Sequence, residues 1–410
     1  MLQEMYTPYG FRDRLFAEAA QHRVLLERIQ RVFRRYGYQD VETPTVEYLK
    51  VYDEERGSIA PVDMYKFVDR DGELLVLRPD LTPAAARVAT TYLTEEDLPC
   101  RICMTGSTFR YNSRYSAKER ELRQTGVELI GADSVLADAE MVEIAVETLR
   151  AAGLSTFKIA MGHARLVEQI LSLFPEELRA ELREYVVSKN FPALYQRLAG
   201  VKMEEACRAL LELTAQTGGI DLVEQGYTYS QKMGLTEISQ IFERLLALHR
   251  LLEAEGMSQE LVYDLGMTAD LHYYTGIVFQ GYTDGTGDYV LDGGRYDDLL
   301  RQFSKNWPSV GLGIYMNSLL SAMNRQGIAP EVPGQIFLSG TEERTVLQAA
   351  RILRDGGRDV VLLFGRDRES FEASCQAKAS CRLGLWLDPK EDDRLCHQLE
   401  ERLKEVLADA

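Results

Sequence analysis

The chain has 410 residues, 45% hydrophobic and 27% charged, with a formal net charge of −17. That length exceeds one ordinary hydrophobic core and calls for two or three domains, while the acidic balance argues against a sequence-independent nucleic-acid surface, which needs clustered Lys and Arg. Met1-Leu2-Gln3-Glu4-Met5-Tyr6 has no basic stretch leading into an apolar run, so no signal peptide is read, and no segment approaches the apolar length that spans a membrane.

From Phe16 to Tyr36, apolar residues at Val24, Leu25, Ile29, Val32, Phe33 and Tyr36 keep helical spacing, and Gly37 stands where a left-handed cap would end the helix. Met64 to Arg78 reads as a hairpin turning at Asp71-Gly72. Thr82-Pro83 has the form of an N-cap and first helical residue ahead of an Ala-rich helix. Asp80 and Thr82 would then stand at a strand-to-helix corner. Strands follow at Arg101–Arg110 and Leu122–Ile130, joined by a polar, basic loop, and their direct succession implies antiparallel pairing. From about residue 164 to 255 the pattern is helical with no strand signal, which reads as an insertion. Strands return at Leu261–Leu265 and Tyr273–Tyr282, and the turn Asp284-Gly285-Thr286-Gly287 leads to Tyr289–Leu291. The segment Leu291 to Asp297 has the look of a glycine turn entering a helix. Residues 329–334 form a Pro- and Gly-containing linker, and a βαβαβ order beyond it implies a small parallel α/β domain. The expected division is a core over 1–328 and a small domain over 335–410.

The six cysteines, Cys100, Cys103, Cys207, Cys375, Cys381 and Cys396, include one CxxC but no second pair at zinc-like spacing. They read as reduced thiols, which suits a cytoplasmic location; no metal or cofactor is implied.

Several polar residues invite a functional reading. Gln124 and Glu128 stand four apart in an alternating segment and so share a strand face; two polar residues on one face are also what a solvent-facing strand shows. Arg110 in Phe109-Arg110-Tyr111 has a surface ion pair as its plain reading. Taken with Leu77-Arg78-Pro79-Asp80, Glu42-Thr43-Pro44, Tyr273-Tyr274-Thr275 and Gly293-Gly294-Arg295-Tyr296-Asp297, their order and spacing resemble the catalytic core of class II aminoacyl-tRNA synthetases, most closely histidyl-tRNA synthetase. The resemblance runs from Tyr6 to about Met323 and implies an α+β fold, an antiparallel sheet flanked by helices. It implies that Asp80, Thr82 and Gln124 hold the α-ammonium of histidine while Glu128 and Tyr274 face its imidazole. Arg110 and Tyr273 complete the candidate histidine-binding set. Asp80 is one methylene shorter than the glutamate usual in the synthetases.

The departures lie on the nucleotide side. Asn112 and Ser113 follow Phe109-Arg110-Tyr111 where the synthetases carry an acidic residue and an arginine, and Asn317-Ser318 stands where the third class motif ends in Glu-Arg. Ala269-Asp270-Leu271-His272 replaces Arg-Gly-Leu-Asp, removing the arginine that works at the reacting carboxylate. A guanidinium gripping phosphates is not replaced by a hydroxyl, so no catalytic residues are assigned.

This pattern of kept and lost residues is similar to that of the regulatory subunits of ATP phosphoribosyltransferase, relatives of the synthetase. The resemblance implies a non-catalytic chain that supports the short catalytic subunit and carries feedback inhibition by L-histidine in the first step of histidine biosynthesis. A homodimer within a hetero-oligomer is the family expectation. No tRNA and no membrane are expected: from residue 331 onward, 12 Lys/Arg face 16 Asp/Glu, so the small domain resembles a shortened anticodon-binding domain without the basic surface RNA requires. Two other readings stay open, a synthetase with residual activity and a scaffold that binds no ligand.

Overall fold

The computed structural model describes residues 5–52, 59–111, 119–199, 204–268, 273–365, 367–378 and 380–388. The chain divides into two compact units, Met1–Arg14 with Leu25–Ala329, and Leu15–Val24 with Pro330–Ala410.

In chain order the first helix is α1 (Phe16–Arg35), whose Leu25, Ile29 and Phe33 are fully buried. Gly37, at φ 80°, supplies the left-handed residue that turns the chain into β1 (Gln39–Asp40). Then come β2 (Val46–Tyr48), β3 (Lys66–Val68) and β4 (Leu74–Leu77), which form a separate small sheet in the order β2-β4-β3. The β3–β4 turn is held by Asp69, whose carboxylate accepts the amides of Asp71 and Glu73 at 2.9 and 2.8 Å. After α2 (Thr82–Tyr92) the chain forms β5 (Cys100–Phe109), β6 (Glu121–Ile130) and α3 (Val135–Ala152). Ser134 caps α3 by accepting the Ala137 amide at 3.1 Å, and Gly153 ends it at φ 103°.

The helical insertion follows β7 (Phe157–His163) and comprises α4 (Leu166–Leu171), α5 (Glu176–Val187), α6 (Phe191–Leu198) and α7 (Glu205–Leu213). It continues with β8 (Thr217–Gly218), α8 (Ile220–Lys232) and α9 (Thr236–Ala254). The strand β8 has no alternating apolar pattern to betray it; backbone pairing with Asp264 and Tyr263 alone defines it. The unit closes with β9 (Leu261–Asp264), β10 (Ile277–Thr283), β11 (Leu291–Arg295), β12 (Ser309–Tyr315) and α10 (Met316–Gln326).

Among the described residues the main sheet has nine strands in the order β1-β5-β6-β12-β11-β10-β7-β9-β8. The run from β5 to β7 is antiparallel throughout, while β1–β5 and β7–β9 pair in parallel. On one face Val127 and Leu129 of β6 pack with α1 and with Met141, Val142 and Ala145 of α3. Each large apolar side chain buried there contributes about 1.5–3 kcal/mol. On the other face Ile102, Met104 and Ile130 meet Ala85, Ala86 and Ala89 of α2 together with Tyr273 and Tyr296.

Two expectations shift. The strand expected over Tyr273–Tyr282 begins only at Ile277, which leaves Tyr273 and Tyr274 before the strand. The stretch expected to be a turn into a helix is instead the strand β11, hydrogen-bonded on both sides by β10 and β12. Its glycines suit that place: a Cβ on Gly294 would stand 2.5 Å from the Ile277 carbonyl oxygen and 2.8 Å from the Tyr274 ring.

The second unit contains β13 (Gln335–Gly340), α11 (Glu343–Asp355), β14 (Val360–Leu362), α12 (Arg368–Ala377) and β15 (Cys381–Leu387). Its three strands are parallel in the order β14-β13-β15, over a core of Ile336, Leu338, Ala349, Ala350 and Leu353. The five described cysteines are free thiols, and Cys396 lies outside the described residues. Cys103 is buried against Asp40 Oδ1 at 3.3 Å, and burial pushes its thiol up to about 12. No described helix is long and apolar enough to cross a membrane.

Candidate functional site

Strand alternation sends Val127 and Leu129 into the α3 core and turns Gln124 and Glu128 toward the opposite face, beside α2 and the tyrosine cluster. Glu128 faces Gly311 across the β6–β12 pairing. A Cβ on Gly311 would collide with Glu128 Oε2, and one on Gly313 with Gln124 Nε2. The two glycines of β12 therefore make the space in which both polar side chains lie.

Thr82 was expected to cap α2 through its side chain. Instead it is the first residue of the helix, Leu81 holds the cap position, and no side-chain cap bond is present. The Thr82 hydroxyl donates to Glu128 Oε1 at 2.8 Å, and the Tyr296 hydroxyl donates to Oε2. Asp80 is buried just before the helix: Tyr52 donates to its carbonyl at 2.9 Å and Tyr273 to its Oδ2 at 3.1 Å. The rings of Tyr273 and Tyr274 lie 4.9 Å apart. Six of the sequence-predicted residues, Asp80, Thr82, Gln124, Glu128, Tyr273 and Tyr274, thus line one cavity. Asp292, Tyr296 and Tyr315 line it as well. Their side chains meet across it and leave an opening of about 10 Å³, room for about one water.

Burial pushes the Glu128 carboxyl up to about 8, with Asp80 and Asp292 adding to the rise and the bonds from Tyr296 and Thr82 opposing it. Burial likewise raises Tyr273, Tyr274, Tyr296 and Tyr315 well above the usual phenol range. The site therefore offers hydroxyl donors and a carboxyl that can hold or release a proton near neutrality.

Arg110 does not line this cavity. It borders a second one, of about 330 Å³, with Asn317, Ser318, Ser321, Arg325 and Tyr289; Tyr315 borders both. Arg110 Nε donates to the Pro79 carbonyl at 3.0 Å, one residue from Asp80. Burial acts against its charge, but Tyr315, Asp80, Asp292 and Tyr289 outweigh that and hold its pKa above the usual arginine value. Two buried atoms at the site have no hydrogen-bond partner among the described residues: Arg110 Nη2, a donor, and Gln124 Oε1, an acceptor. Asn317 is engaged locally, donating to Glu119 and accepting the Arg123 amide at 3.3 Å. Asn112, Ser113 and Ala269-Asp270-Leu271-His272 lie outside the described residues.

Arg295, within the glycine motif, is structural. Its Nε donates to Asp138 at 2.8 Å and its Nη1 to the Ala132 carbonyl at 3.0 Å and to Asp297 at 3.2 Å, which fixes the backbone that presents Tyr296. Asp292, Tyr296 and Tyr315 were absent from the sequence-derived set. The alternate glycines Gly311 and Gly313, the first paired with Glu128 and the second lying against Gln124 Nε2, were the signal that a side-chain pocket crosses this part of the sheet.

A family model described as histidyl-tRNA synthetase matches residues 10–319. An ATP phosphoribosyltransferase regulatory subunit from Moorella thermoacetica is 37% identical over 382 residues, covering 91% of this chain and 95% of that one. One from Acetivibrio thermocellus is 33% identical over 407 residues, covering 97% and 96%. Among solved structures, an ATP phosphoribosyltransferase regulatory subunit/histidyl-tRNA synthetase from Bacillus halodurans superposes with a TM-score of 0.79 at 27% identity, covering 93% of this chain and 97% of that one.

Proposed function

The chain belongs to the family of ATP phosphoribosyltransferase regulatory subunits, and from that membership we propose that it senses L-histidine for such an enzyme. In this reading it has no catalysis of its own, assembles with the short-form catalytic subunit, is required for that subunit's activity, and imposes histidine feedback on the first step of histidine biosynthesis. It works in the cytoplasm, as a homodimer within the complex, without tRNA.

The observation that carries the reading is the asymmetry of the two cavities. The first gathers Asp80, Thr82, Gln124, Glu128, Tyr273 and Tyr274. The second has Asn317 and Ser318 where the synthetases end their third motif in Glu-Arg. In the first, Asp80, Thr82 and Gln124 take the α-ammonium and Glu128 with Tyr274 takes the imidazole. Glu128 gives its proton to an imidazole nitrogen and then accepts that N–H in a charge-assisted bond, which is strong where water is excluded. Ligand entry must break Thr82–Glu128 and Tyr296–Glu128, and that rearrangement is the change through which binding is felt. Feedback requires histidine to bind two states of the complex with different affinity, since equal affinity would shift nothing.

Co-expression with a short ATP phosphoribosyltransferase catalytic chain tests this. Activity is expected only in the complex, with inhibition by histidine that Glu128→Ala relieves. Histidine-dependent pyrophosphate exchange is expected at background; exchange above it would return the chain to the synthetases. The closure of the first cavity to about 10 Å³ favours the scaffold reading, in which nothing binds. Inhibition untouched by Glu128→Ala, with no histidine uptake by the isolated chain, would establish that reading instead.

A further inference from the structure

A third cavity, of about 810 Å³, lies between α9, α4 and the end of β7, and it shares no lining residue with the other two. That size falls within the roughly 300–1,000 Å³ of small-molecule sites. Its inner wall carries His163 and Ile241, both buried, with Gln169 and Arg244, both half-buried. Its mouth carries Arg165, Glu237 and Glu243, all exposed. His163 ends β7 in register with Ile277 of β10, so strand pairing fixes the backbone that presents the imidazole.

The two nitrogens of that imidazole are placed differently. Nδ1 accepts the Arg165 amide at 3.2 Å, which puts the proton of the neutral ring on Nε2. Burial, with Arg165 and Arg244 adding to it, lowers the pKa to about 3, so the ring is neutral near pH 7. Nε2 is therefore an N–H donor. It has no partner among the described residues and is not fully enclosed, so it faces the cavity that the ring lines. The Gln169 amide on the same wall is likewise uncommitted among the described residues. Arg244 gives its Nε to Asp138 at 2.7 Å, while its Nη1 reaches only the exposed Asp133, at 3.4 Å. A contact that long at the surface contributes little.

We propose that this cavity is a second ligand site, which takes a small metabolite by an oxyanion end, carboxylate or phosphate, seated against His163 Nε2, the Gln169 amide and Arg244 Nη1. Two neutral donors beside a guanidinium suit an acceptor with several lone pairs. The acids that line the cavity stand only at its mouth, where Glu237 and Glu243 are exposed. They set the chemistry of the ligand's other end: a second anionic group there is repelled, and a polyanion such as a nucleic-acid strand is excluded. Ile241 and Ala247 give the carbon body of the ligand an apolar wall. None of this depends on histidine in the first cavity.

An NMR titration of the full chain, carrying isotope-labelled histidine, tests the site; the His163 Nε2 signal is assigned by its loss in His163→Gln. Inorganic phosphate and acetate are the probes, with chloride at matched ionic strength as the control. At least one probe should shift the His163 Nε2 signal saturably, with half-saturation on the order of 1–10 mM, as a few hydrogen bonds to a small anion would give. Which probe does so distinguishes a phosphate end from a carboxylate end. Gln169→Leu should weaken that binding by about 10-fold, the loss of one hydrogen bond to a charged group. Its unshifted His163 signal before titration shows that the variant is folded. A shift that has not saturated by about 100 mM, or that chloride reproduces, overturns the site. So does binding that Gln169→Leu leaves unchanged.

Discussion

The two cavities that meet at Tyr315 differ in what holds them. The first is walled by strands β6, β11 and β12 and by the start of α2, and its polar side chains are bonded to one another: Thr82 and Tyr296 to Glu128, Tyr273 to Asp80. The second is bordered by the turn residues Thr286 and Asp288 and by Asn317, Ser318, Ser321 and Arg325 of α10. Two of its polar side chains are spent locally, Arg325 on the Gly285 carbonyl at 2.6 Å and Asn317 on Glu119 and the Arg123 amide. The first cavity draws on three strands of the sheet that carries the core, while the second also draws on a turn and on α10.

The sharpest way to break this contrast is to fill the hole under Glu128. Gly311→Ala places a methyl group against Glu128 Oε2 and 2.8 Å from the Val127 carbonyl oxygen. Glu128 must leave its bonds to Thr82 and Tyr296, and histidine binding should fall by about 100-fold, near 2.7 kcal/mol. The matched control is Gly287→Ala, in the turn beside the second cavity, where a Cβ meets nothing within 4 Å. Its binding should stay within about twofold. Calorimetry on the pair decides: similar losses would mean that the first cavity is no more constrained than the second.

The next effect is on stability rather than binding. Burial holds the Glu128 carboxyl at about 8 in the fold, while the unfolded chain releases that proton at about pH 4.3. Between these values the native state binds more protons, so stability falls as pH rises, by up to about 1.4 kcal/mol per unit from this group. The contribution is fully present below the unfolded value and gone above about 8. Glu128→Gln removes the titration, so urea midpoints of parent and variant measured from pH 5 to 8 should diverge steadily in the variant's favour. Parallel curves would show that Glu128 is ionised in the folded chain and that the cavity is wetter than its closure implies.

Much of this was legible in sequence, and the gaps have physical causes. The helix ending at Gly37, the hairpin around Asp71-Gly72 and the strands β5 and β6 follow from patterns in which propensity and burial agree. Glu128 and Gln124 share a face because alternation demands it. The strand β11 was missed because Gly293 and Gly294 lower strand propensity. They are there because a Cβ on Gly293 would stand 2.5 Å from the Gly311 carbonyl oxygen, a tertiary constraint that local sequence does not express. With β11 unread, Asp292 and Tyr296 could not be placed at the cavity. Thr82 shows the same limit: its hydroxyl goes to the buried Glu128 rather than to the backbone at the start of α2, and only the fold brings Glu128 within 2.8 Å.

The smallest effect is expected where the resemblance to a synthetase is broken. Asn317→Glu with Ser318→Arg places a Glu-Arg pair at the start of α10, at the larger cavity and outside the lining of the one that holds Gln124 and Glu128. If the two cavities are independent, histidine affinity should change by less than about twofold, since sites without shared partners add within a few tenths of a kcal/mol. Pyrophosphate exchange should stay at background, because the pair leaves Ala269 unchanged where the resemblance to the synthetases implies an arginine at the reacting carboxylate. The one route for coupling is Tyr315, which borders both spaces, and the guanidinium introduced in place of Ser318 would enter the cavity in which Arg110 lies. A change in histidine affinity well beyond twofold would therefore locate the coupling at Tyr315 and Arg110, and would show that the second cavity still controls the first.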